Sequence, residues 1–296
     1  MNTHLSILEQ IGLGNIKILA RALTLVENDI APAHLLLRDL TLPKEVPVIG
    51  ITGPPGAGKS TLVNGVVSQL TASGKRVAIL AIDPTSPFNY GSLLGDRIRM
   101  SAQFNNTSVY IRSLATRGAL GGISVKTMEM VDILKASTFD YIIVETVGVG
   151  QSEVEIAGLA DKTLVVLVPE AGDEIQHIKS GLMEIADAFV VNKADRDGAD
   201  QFANNLNKMV HSGKKTIPVF KSVADKNGGM NPICEWIMAT PFTSNQKRVL
   251  LYAEKAWKII EHKRMHNINK KELIEQLQTA LLDPDFNLYR FADQFN

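Results

Sequence analysis

Gly53-Pro54-Pro55-Gly56-Ala57-Gly58-Lys59-Ser60 matches the phosphate-loop pattern G-x-x-x-x-G-K-[ST]. An apolar run over residues 46–52 precedes this loop, and apolar residues at helical spacing follow it over residues 61–70. Glycines let backbone N–H groups approach phosphates closely, and a following helix adds unpaired N–H groups and the positive end of its dipole. A plain glycine-rich turn would not account for the strand and the helix on either side. The segment therefore predicts a site for the phosphates of a nucleotide.

The last residues of the loop have separate expected roles. Lys59 is expected to reach the β- and γ-phosphates, and the Ser60 hydroxyl is expected to bind Mg²⁺, with Thr61 close by. The candidate nucleotide contacts in this segment are Gly53, Pro54, Pro55, Gly56, Ala57, Gly58, Lys59, Ser60 and Thr61.

The identity of the base is indicated by an N-K-x-D pattern, Asn192-Lys193-Ala194-Asp195, after the apolar run of residues 188–191. The Asp195 carboxylate can accept from N1–H and the N2 amine of guanine. Adenine offers neither donor and would leave a buried carboxylate unpaired. Lys193 is expected to lay its stem over the base, and Asn192 to connect this loop with the phosphate loop. A solvated helix cap is the alternative, but the position after a strand and a phosphate loop favours guanine.

A third motif concerns the γ-phosphate. Residues 140–145 form an apolar run that ends in Glu145, and a glycine-rich turn with Gly148 follows. A carboxylate at this place typically holds Mg²⁺ directly or through water, and the Gly148 N–H can contact the γ-phosphate. Many regulatory GTPases carry a water-orienting Gln directly after this glycine, where this chain has Val149, and Gln151 lies two residues further on. Intrinsic hydrolysis is therefore expected to be slow.

Two further carboxylates belong to the predicted metal site. Asp83 ends the apolar run of residues 76–82, and the carboxyl end of a parallel strand faces the ligand crevice. Asp96 lies in the long loop that follows and is a candidate Mg²⁺ ligand in one nucleotide state; a surface pair with Arg99 is the alternative. The predicted metal ligands are Ser60, Asp83, Asp96 and Glu145.

The order of these motifs resembles the MeaB/ArgK group of the SIMIBI class of GTPases, the bacterial relatives of the methylmalonic aciduria type A protein. The resemblance is close over about residues 10–200 and looser beyond. Besides the phosphate loop and Asn192-Lys193-Ala194-Asp195, it rests on residues 16–27, 91–100 and 183–187, on Asp83-Pro-Thr-Ser-Pro-Phe88, Ile111-Arg-Ser-Leu-Ala-Thr-Arg-Gly118, Glu145-Thr-Val-Gly-Val-Gly-Gln-Ser-Glu153 and Ala171-Gly-Asp-Glu-Ile-Gln176 through Lys179.

The resemblance implies a Mg²⁺-dependent GTPase that acts as a G-protein chaperone for an adenosylcobalamin-dependent acyl-CoA mutase, most often methylmalonyl-CoA mutase. Such proteins gate cofactor loading and protect the mutase from inactivation. In the family, an extra switch loop moves toward the nucleotide when the mutase is bound, and residues 172–179 match it. Gln176 and Lys179 are the implied catalytic residues of that loop, beside Lys59, Asp83 and Glu145. A solvated helix position is the alternative for Lys179.

Three departures from the family pattern stand out. Ile98 replaces a Thr in the switch, and Glu170 replaces a Gly before the extra switch loop. The loop that contacts guanine O6 is commonly T-S-A, and here it is Ser222-Val223-Ala224. Ala224 can still offer a backbone N–H to the base.

Composition limits the other partners. Lys+Arg and Asp+Glu number 31 each in 296 residues, which argues against a nucleic-acid or anionic-membrane surface. Cys234 is the single cysteine, so no intramolecular disulfide forms, and a reducing compartment is natural. With neither a signal-peptide pattern nor a membrane-length apolar run, a cytoplasmic protein is expected.

The predicted fold is α/β: a P-loop NTPase with a mostly parallel central sheet flanked by helices, plus helical extensions at both ends. The predicted domains are an N-terminal helical extension (1–43, two short helices), a GTPase domain (44–242) and a C-terminal helical extension (243–296). The last has two amphipathic helices, whose apolar stripes fit core burial or, as in the family, homodimer contact. The predicted strands are residues 46–52, 76–82, 108–112, 140–145, 163–168, 188–192 and 216–220.

Two rival functions remain open. One is a kinase or ATPase accessory to lysine/arginine/ornithine transport, which needs a phosphoacceptor face that the sequence does not reveal. The other is a metal-insertion GTPase, a class that often carries His-rich or Cys-x-x-Cys segments, whereas this chain has six scattered His and one Cys. The sequence also contains no Asp-x-His-x-x-Gly cobalamin-ligand pattern, so no bound cobalamin is expected on this chain.

Overall fold

A computed structural model describes residues 3–42, 45–83, 100, 103–115, 125–146, 156–170, 182–211, 217–239, 245–265, 267–283 and 285–295. These residues form two compact units, Met1–Leu251 and Tyr252–Asn296. In the described part of the chain, no helix has both the length and the apolar character needed to cross a membrane.

The centre of the first unit is a seven-stranded sheet in the order β3-β2-β4-β1-β5-β6-β7. Every neighbouring pair of these strands is parallel. The prediction of an α/β fold with a parallel sheet is therefore confirmed, and each predicted strand has its counterpart. The strands are β1 Val48–Thr52, β2 Val77–Asp83, β3 Val109–Ala115, β4 Tyr141–Glu145, β5 Lys162–Leu167, β6 Ala188–Val191 and β7 Val219–Lys221.

The largest differences from the predicted strand boundaries are at the end of β3 and the start of β7, whereas the other strand ends differ by at most two residues. β3 continues to Ala115 rather than ending at residue 112, because it pairs with β2 along the whole length of that strand, from Val77 opposite Val109 to Asp83 opposite Ala115. β7 begins only at Val219, directly after Pro218, a residue that has no N–H to donate to a neighbouring strand.

The helices surround this sheet or belong to the second unit. They are α1 Thr3–Gly12, α2 Ile16–Glu27, α3 Ala33–Arg38, α4 Lys59–Ala72, α5 Val125–Lys135, α6 Met183–Ile185, α7 Ala199–His211, α8 Met230–Ala239, α9 Asn245–Met265, α10 Lys270–Ala280 and α11 Leu288–Ala292. Short 3₁₀ turns cover Ile156–Gly158, Ala224–Lys226 and Asp293–Phe295. The two amphipathic helices predicted near the C-terminus correspond to α9 and α10.

The N-terminal segment contains three helices, so the prediction of two was wrong. The extra boundary lies between α1 and α2. Gly14 there has a φ of 81°, and the side chain of Asn15 caps α2 by accepting from the Ile18 N–H at 3.2 Å. Leu19 and Leu23 of α2 are fully buried in the same cluster as Ile142 of β4, so these helices cover one face of the sheet.

The opposite face of the sheet is covered by α4 and α8. Leu62 and Val66 of α4 and Ile233 of α8 pack in one buried cluster with Ile49 and Ile51 of β1. Because both faces of the sheet are buried, ligands can reach it only at its ends. The carboxyl ends of the parallel strands form one such edge, and the predicted site residues follow them.

Candidate functional site

The phosphate loop joins β1 to α4 through backbone conformations that require glycine. Gly53, Gly56 and Gly58 have φ values of 138°, 77° and 84°. A Cβ at Gly53 would lie 2.0 Å from the Val166 carbonyl oxygen of β5, and one at Gly58 would lie 2.4 Å from Asn192 Nδ2. The loop is therefore packed against the neighbouring strand and against the N-K-x-D segment.

Lys59 is held over the loop at the first turn of α4. The side chain is nearly buried, and its Nζ donates to the carbonyl oxygens of Gly53 at 2.8 Å and Pro54 at 2.9 Å. These bonds direct the ammonium group back across the loop, on the side where the backbone N–H groups of a phosphate loop converge. Contact between Lys59 and phosphate stays a prediction.

Ser60 and Glu145 connect α4 to the end of β4. The Ser60 hydroxyl donates to Glu145 Oε1 at 2.6 Å, and both side chains are buried. Next to them, the Thr146 hydroxyl donates to Thr52 Oγ1 at 2.9 Å, which joins the ends of β4 and β1. A hydroxyl and a carboxylate are the hard oxygen ligands that Mg²⁺ prefers, so the donor set fits this ion.

Of the other two predicted metal ligands, the structure describes only the backbone of Asp83. Glu145 is paired in register with Ala81 of β2, and Asp83 ends that strand two residues later. Its side chain lies outside the described part of the structure, as does Asp96. The same holds for Gly148, Gln176 and Lys179, whose predicted roles the structure does not describe.

Asn192 links three segments of the site. Its Nδ2 donates to the Ala57 carbonyl oxygen of the phosphate loop at 2.9 Å, which is the connection expected from the sequence. Its Oδ1 accepts from the Ser222 hydroxyl at 3.0 Å and from the Ala224 N–H at 3.2 Å. Asn192 thereby fixes the spacing between the phosphate loop and the two loops predicted to hold the base.

The predicted O6 loop has a more restricted set of donors than the sequence suggested. The Ala224 N–H, expected to be offered to the base, donates to Asn192 in this structure. The Val223 N–H donates to the Gly228 carbonyl oxygen at 3.0 Å. A base oxygen at this loop would therefore share or replace an existing hydrogen bond of Ala224.

Lys193 and Asp195 face the same region from the end of β6. Lys193 has a φ of 55°, and its Nζ donates to the Gly56 carbonyl oxygen at 2.8 Å, so its side chain extends along the phosphate loop. Asp195 Oδ2 accepts from Lys226 Nζ at 2.6 Å. The hydrogen bond from Lys226 holds the pKa of Asp195 below its ordinary value, so the carboxylate is ionised and can accept from a base.

Sequence reasoning missed two ion pairs at this site. Lys226 is an exposed lysine four positions after Ser222, and no pattern in the sequence connects it with Asp195. Glu170, noted only as a departure, forms an ion pair with Arg196, and this hydrogen bond lowers the pKa of Glu170. Glu170 and Arg196 thus join the end of the β5 segment to the N-K-x-D loop.

Comparison with known proteins gives concordant results. The family model of the methylmalonyl Co-A mutase-associated GTPase MeaB matches residues 19–280. A Pyrococcus abyssi protein named as a GTPase is 46% identical to this chain over 239 residues. The match covers 78% of this chain and 74% of the relative. The mouse methylmalonic aciduria type A homolog, mitochondrial, is 41% identical over 195 residues, covering 60% of this chain and 47% of the relative.

Among solved structures, the LAO/AO transport system kinase aligns with a TM-score of 0.69, over 99% of this chain and 96% of that one. Its sequence is 24% identical, so this likeness concerns the fold alone. The chain spans between about half and three quarters of the length of its curated relatives, from 47% in the mouse protein through 62% in a Pyrococcus horikoshii protein to 74% in the P. abyssi protein. On the family match and the P. abyssi relative, the chain belongs to the MeaB family of P-loop GTPases.

Proposed function

We propose that this chain binds GTP and GDP together with Mg²⁺ and hydrolyses GTP to GDP and phosphate. The observation that carries the proposal is the position of Asn192, which bonds to Ala57 of the phosphate loop and to Ser222 and Ala224 of the predicted base loop. In this proposal, one nucleotide extends from Lys59 to Asp195. The names of the relatives and of the family support the same activity.

The roles of the residues follow from charge and position. Lys59 would neutralise charge on the β- and γ-phosphates, and Asp195 would accept from the guanine N1–H and N2–H groups. Ser60 and Glu145 would hold Mg²⁺, with Asp83 and Asp96 as further candidates. When bound, the ion supplies charge neutralisation at the β- and γ-phosphate oxygens.

Fast hydrolysis would need a group that orients the attacking water. Val149 stands where many GTPases hold a water-orienting Gln. We propose that a partner protein supplies the missing function by reordering residues 172–179, so that Lys179 or Gln176 approaches the phosphates. A cation placed there would act as an arginine finger does, by neutralising charge that develops in the transition state.

The proposed partner is an adenosylcobalamin-dependent acyl-CoA mutase, with methylmalonyl-CoA mutase first among the candidates. The family name and the mouse relative's name support this choice. In this proposal the GTP cycle gates cofactor loading and protects the mutase, and the corrinoid belongs to the mutase.

A homodimer is proposed on the surface of the second unit. Trp257 and Ile260 of α9 and Ile274 of α10 are large apolar residues that are exposed in a single chain, with 70% of Trp257 accessible. Trp257 and Ile260 lie three positions apart on one helix and so share a face, and an exposed apolar face often marks an interface. Light scattering after size exclusion should give twice the chain mass for the wild type and a lower mass for Trp257→Glu; a monomeric wild type would refute the dimer.

The two rival functions differ from the proposed one in the molecule that the chain would act on or carry. A kinase accessory to amino-acid transport would transfer phosphate to a protein or a small acceptor, and the LAO/AO transport system kinase shares the fold. A metal-insertion GTPase would bind a transition metal as cargo. Neither rival predicts that a mutase accelerates GTP hydrolysis.

Single-turnover hydrolysis of GTP, measured with and without the mutase, tests the partner proposal. Lys179→Ala should leave basal hydrolysis nearly intact and remove most of the increment that the mutase produces. Lys208→Ala, an exposed lysine of α7, serves as the matched control and should keep the increment. Full stimulation of Lys179→Ala would refute the proposed role of this lysine. Absence of stimulation by any adenosylcobalamin-dependent mutase would favour the transport-kinase reading.

A pull-down with the chain as bait, analysed by mass spectrometry with and without a non-hydrolysable GTP analogue, identifies the client directly. An acyl-CoA mutase should be recovered, in an amount that depends on the nucleotide. Recovery of a transport component or a metalloenzyme in place of a mutase would support one of the rivals.

A further inference from the structure

We propose that Lys226 competes with the guanine base for Asp195 and thereby weakens the binding of guanine nucleotides selectively. The ammonium group donates to the carboxylate that the base donors would use. This inference rests on the proposed guanine selectivity and adds a built-in determinant of affinity to it.

The geometry of the pair carries the inference. Lys226 Nζ donates to Asp195 Oδ2 at 2.6 Å, a short charge-assisted hydrogen bond. Lys226 lies at the end of the 3₁₀ turn Ala224–Lys226, which directly follows the predicted O6 residues Ser222 and Val223. The lysine therefore belongs to the loop that would flank the base, and it reaches the carboxylate that would read the base.

Guanine and Lys226 would present the same chemistry to Asp195. The guanine edge offers two parallel N–H donors, and the carboxylate accepts them with both oxygens, whereas Lys226 occupies one of these oxygens. The side chains of Lys226 and Asp195 are 67% and 40% exposed, so the pair lies in water and can separate readily. Displacement to solvent is therefore the favoured outcome when guanine binds.

The competition affects only ligands that use Asp195. A guanine nucleotide must break the ion pair, and the loss of that pair opposes binding. An adenine nucleotide offers no donors to Asp195 and leaves the ion pair in place. Removing the Lys226 charge should therefore tighten GDP binding without tightening ADP binding, which means that base selectivity increases.

The test is isothermal calorimetry of GDP and ADP on the full chain with wild type, Lys226→Met and Lys221→Met. Lys221 is the matched control, because it is an exposed lysine in a similar surface pair, with Asp200 Oδ1 at 2.9 Å, outside the base loop. Lys226→Met should lower the dissociation constant of GDP by up to about fivefold, the range expected for an exposed pair. Lys221→Met should leave it unchanged. An unchanged or higher dissociation constant in Lys226→Met would overturn the inference.

A second background separates the competition from general changes in the loop. In Asp195→Asn, the ion pair no longer exists, and a xanthosine diphosphate probe replaces GDP. Adding Lys226→Met to this variant should not change its affinity for xanthosine diphosphate; a gain as large as in the wild-type background would also overturn the inference. If wild type binds ADP as tightly as GDP, the proposed guanine selectivity itself fails. If wild type prefers GDP but Lys226→Met gains nothing, only the role of Lys226 fails.

Discussion

The Ser60 hydroxyl donates a 2.6 Å hydrogen bond to Glu145 Oε1, which joins the start of α4 to the end of β4. The two oxygen atoms belong to residues 85 positions apart, and the sheet order places β4 directly beside β1, the strand that leads into the phosphate loop. Such a pair of buried oxygens would give a bound Mg²⁺ two ligands on rigid elements.

The first prediction concerns the metal site. Ser60→Ala and Glu145→Gln should each lower Mg²⁺-dependent GTP hydrolysis by about 10²-fold, because preorganised charge stabilisation is lost, while GDP affinity changes less. Asp83→Ala and Asp96→Ala should act in the same direction. Steady-state phosphate release at a series of Mg²⁺ concentrations measures the effect.

A control for the metal variants is Thr146→Val, which removes the neighbouring hydrogen bond to Thr52 without removing a predicted ligand. It should retain most of the activity. Wild-type rates in Ser60→Ala, Glu145→Gln and Asp83→Ala together would place the metal elsewhere.

The second prediction concerns Lys59. Lys59→Met should weaken GTP binding by about 10- to 100-fold or more, because a phosphate charge loses its charged hydrogen-bond partner. Fluorescence titration with a labelled GTP measures it, and Lys208→Met should bind as wild type does. A melting temperature for Lys59→Met near that of wild type shows that the loop survives the loss of the bonds to Gly53 and Pro54. Unchanged GTP affinity in a folded Lys59→Met protein would contradict the assignment.

The third prediction compares two glycines of the phosphate loop. Gly56 and Gly58 have similar positive φ values, 77° and 84°, so Ala causes similar backbone strain at both. A Cβ at Gly56 meets no atom within 4 Å, whereas one at Gly58 would lie 2.4 Å from Asn192 Nδ2. Gly58→Ala should therefore lower the free energy of unfolding by about 1–3 kcal/mol more than Gly56→Ala does. Equal losses in urea denaturation would mean that Asn192 is not packed against the loop.

The fourth prediction is a pH dependence of stability at Lys162, the first residue of β5. Lys162 is nearly buried, its Nζ donates to the Ile237 carbonyl oxygen at 3.1 Å, and burial lowers its pKa to about 8. The unfolded chain keeps the ordinary value near 10.5. Between these two values the folded protein binds fewer protons than the unfolded chain, so this contribution to stability rises with pH.

Urea denaturation of wild type and Lys162→Met at pH values from 7.5 to 10.5 checks this dependence. The free energy of unfolding of wild type should rise relative to that of Lys162→Met as the pH increases through this window. Lys221→Met, which removes an exposed charge, should run parallel to wild type. A difference that stays constant or falls with pH would contradict the buried, pKa-shifted lysine.

Much of the fold follows from the sequence because buried parallel strands appear as continuous apolar runs. Strands such as β1 and β5 were visible in this way, and the phosphate loop and Asn192-Lys193-Ala194-Asp195 follow strands whose carboxyl ends share one edge. The connection of Asn192 with the phosphate loop could be expected for the same reason. These features depend on local patterns and on the known geometry of a parallel sheet.

What the sequence did not reveal depends on contacts between distant residues. The length of β3 is set by its partner β2, and its own apolar pattern does not mark the last three residues. Lys226 pairs with Asp195 across 31 positions, and an exposed lysine has no periodic signal. The break between α1 and α2 was a missed local signal, since Gly14-Asn15 is a common helix end followed by a cap.

The central claim is that Asp195 makes this chain a guanine-nucleotide protein, and side-by-side calorimetry of GTP and ATP tests it most directly. In the presence of Mg²⁺, wild type should bind GTP at least about 10²-fold more tightly than ATP, because adenine leaves the carboxylate without its donors. Asp195→Asn should lose most of its GTP affinity and gain affinity for xanthosine triphosphate, in which C2 carries an oxygen in place of the guanine amine. Equal affinity of wild type for GTP and ATP, or an Asp195→Asn variant that keeps the wild-type preference, would contradict the claim.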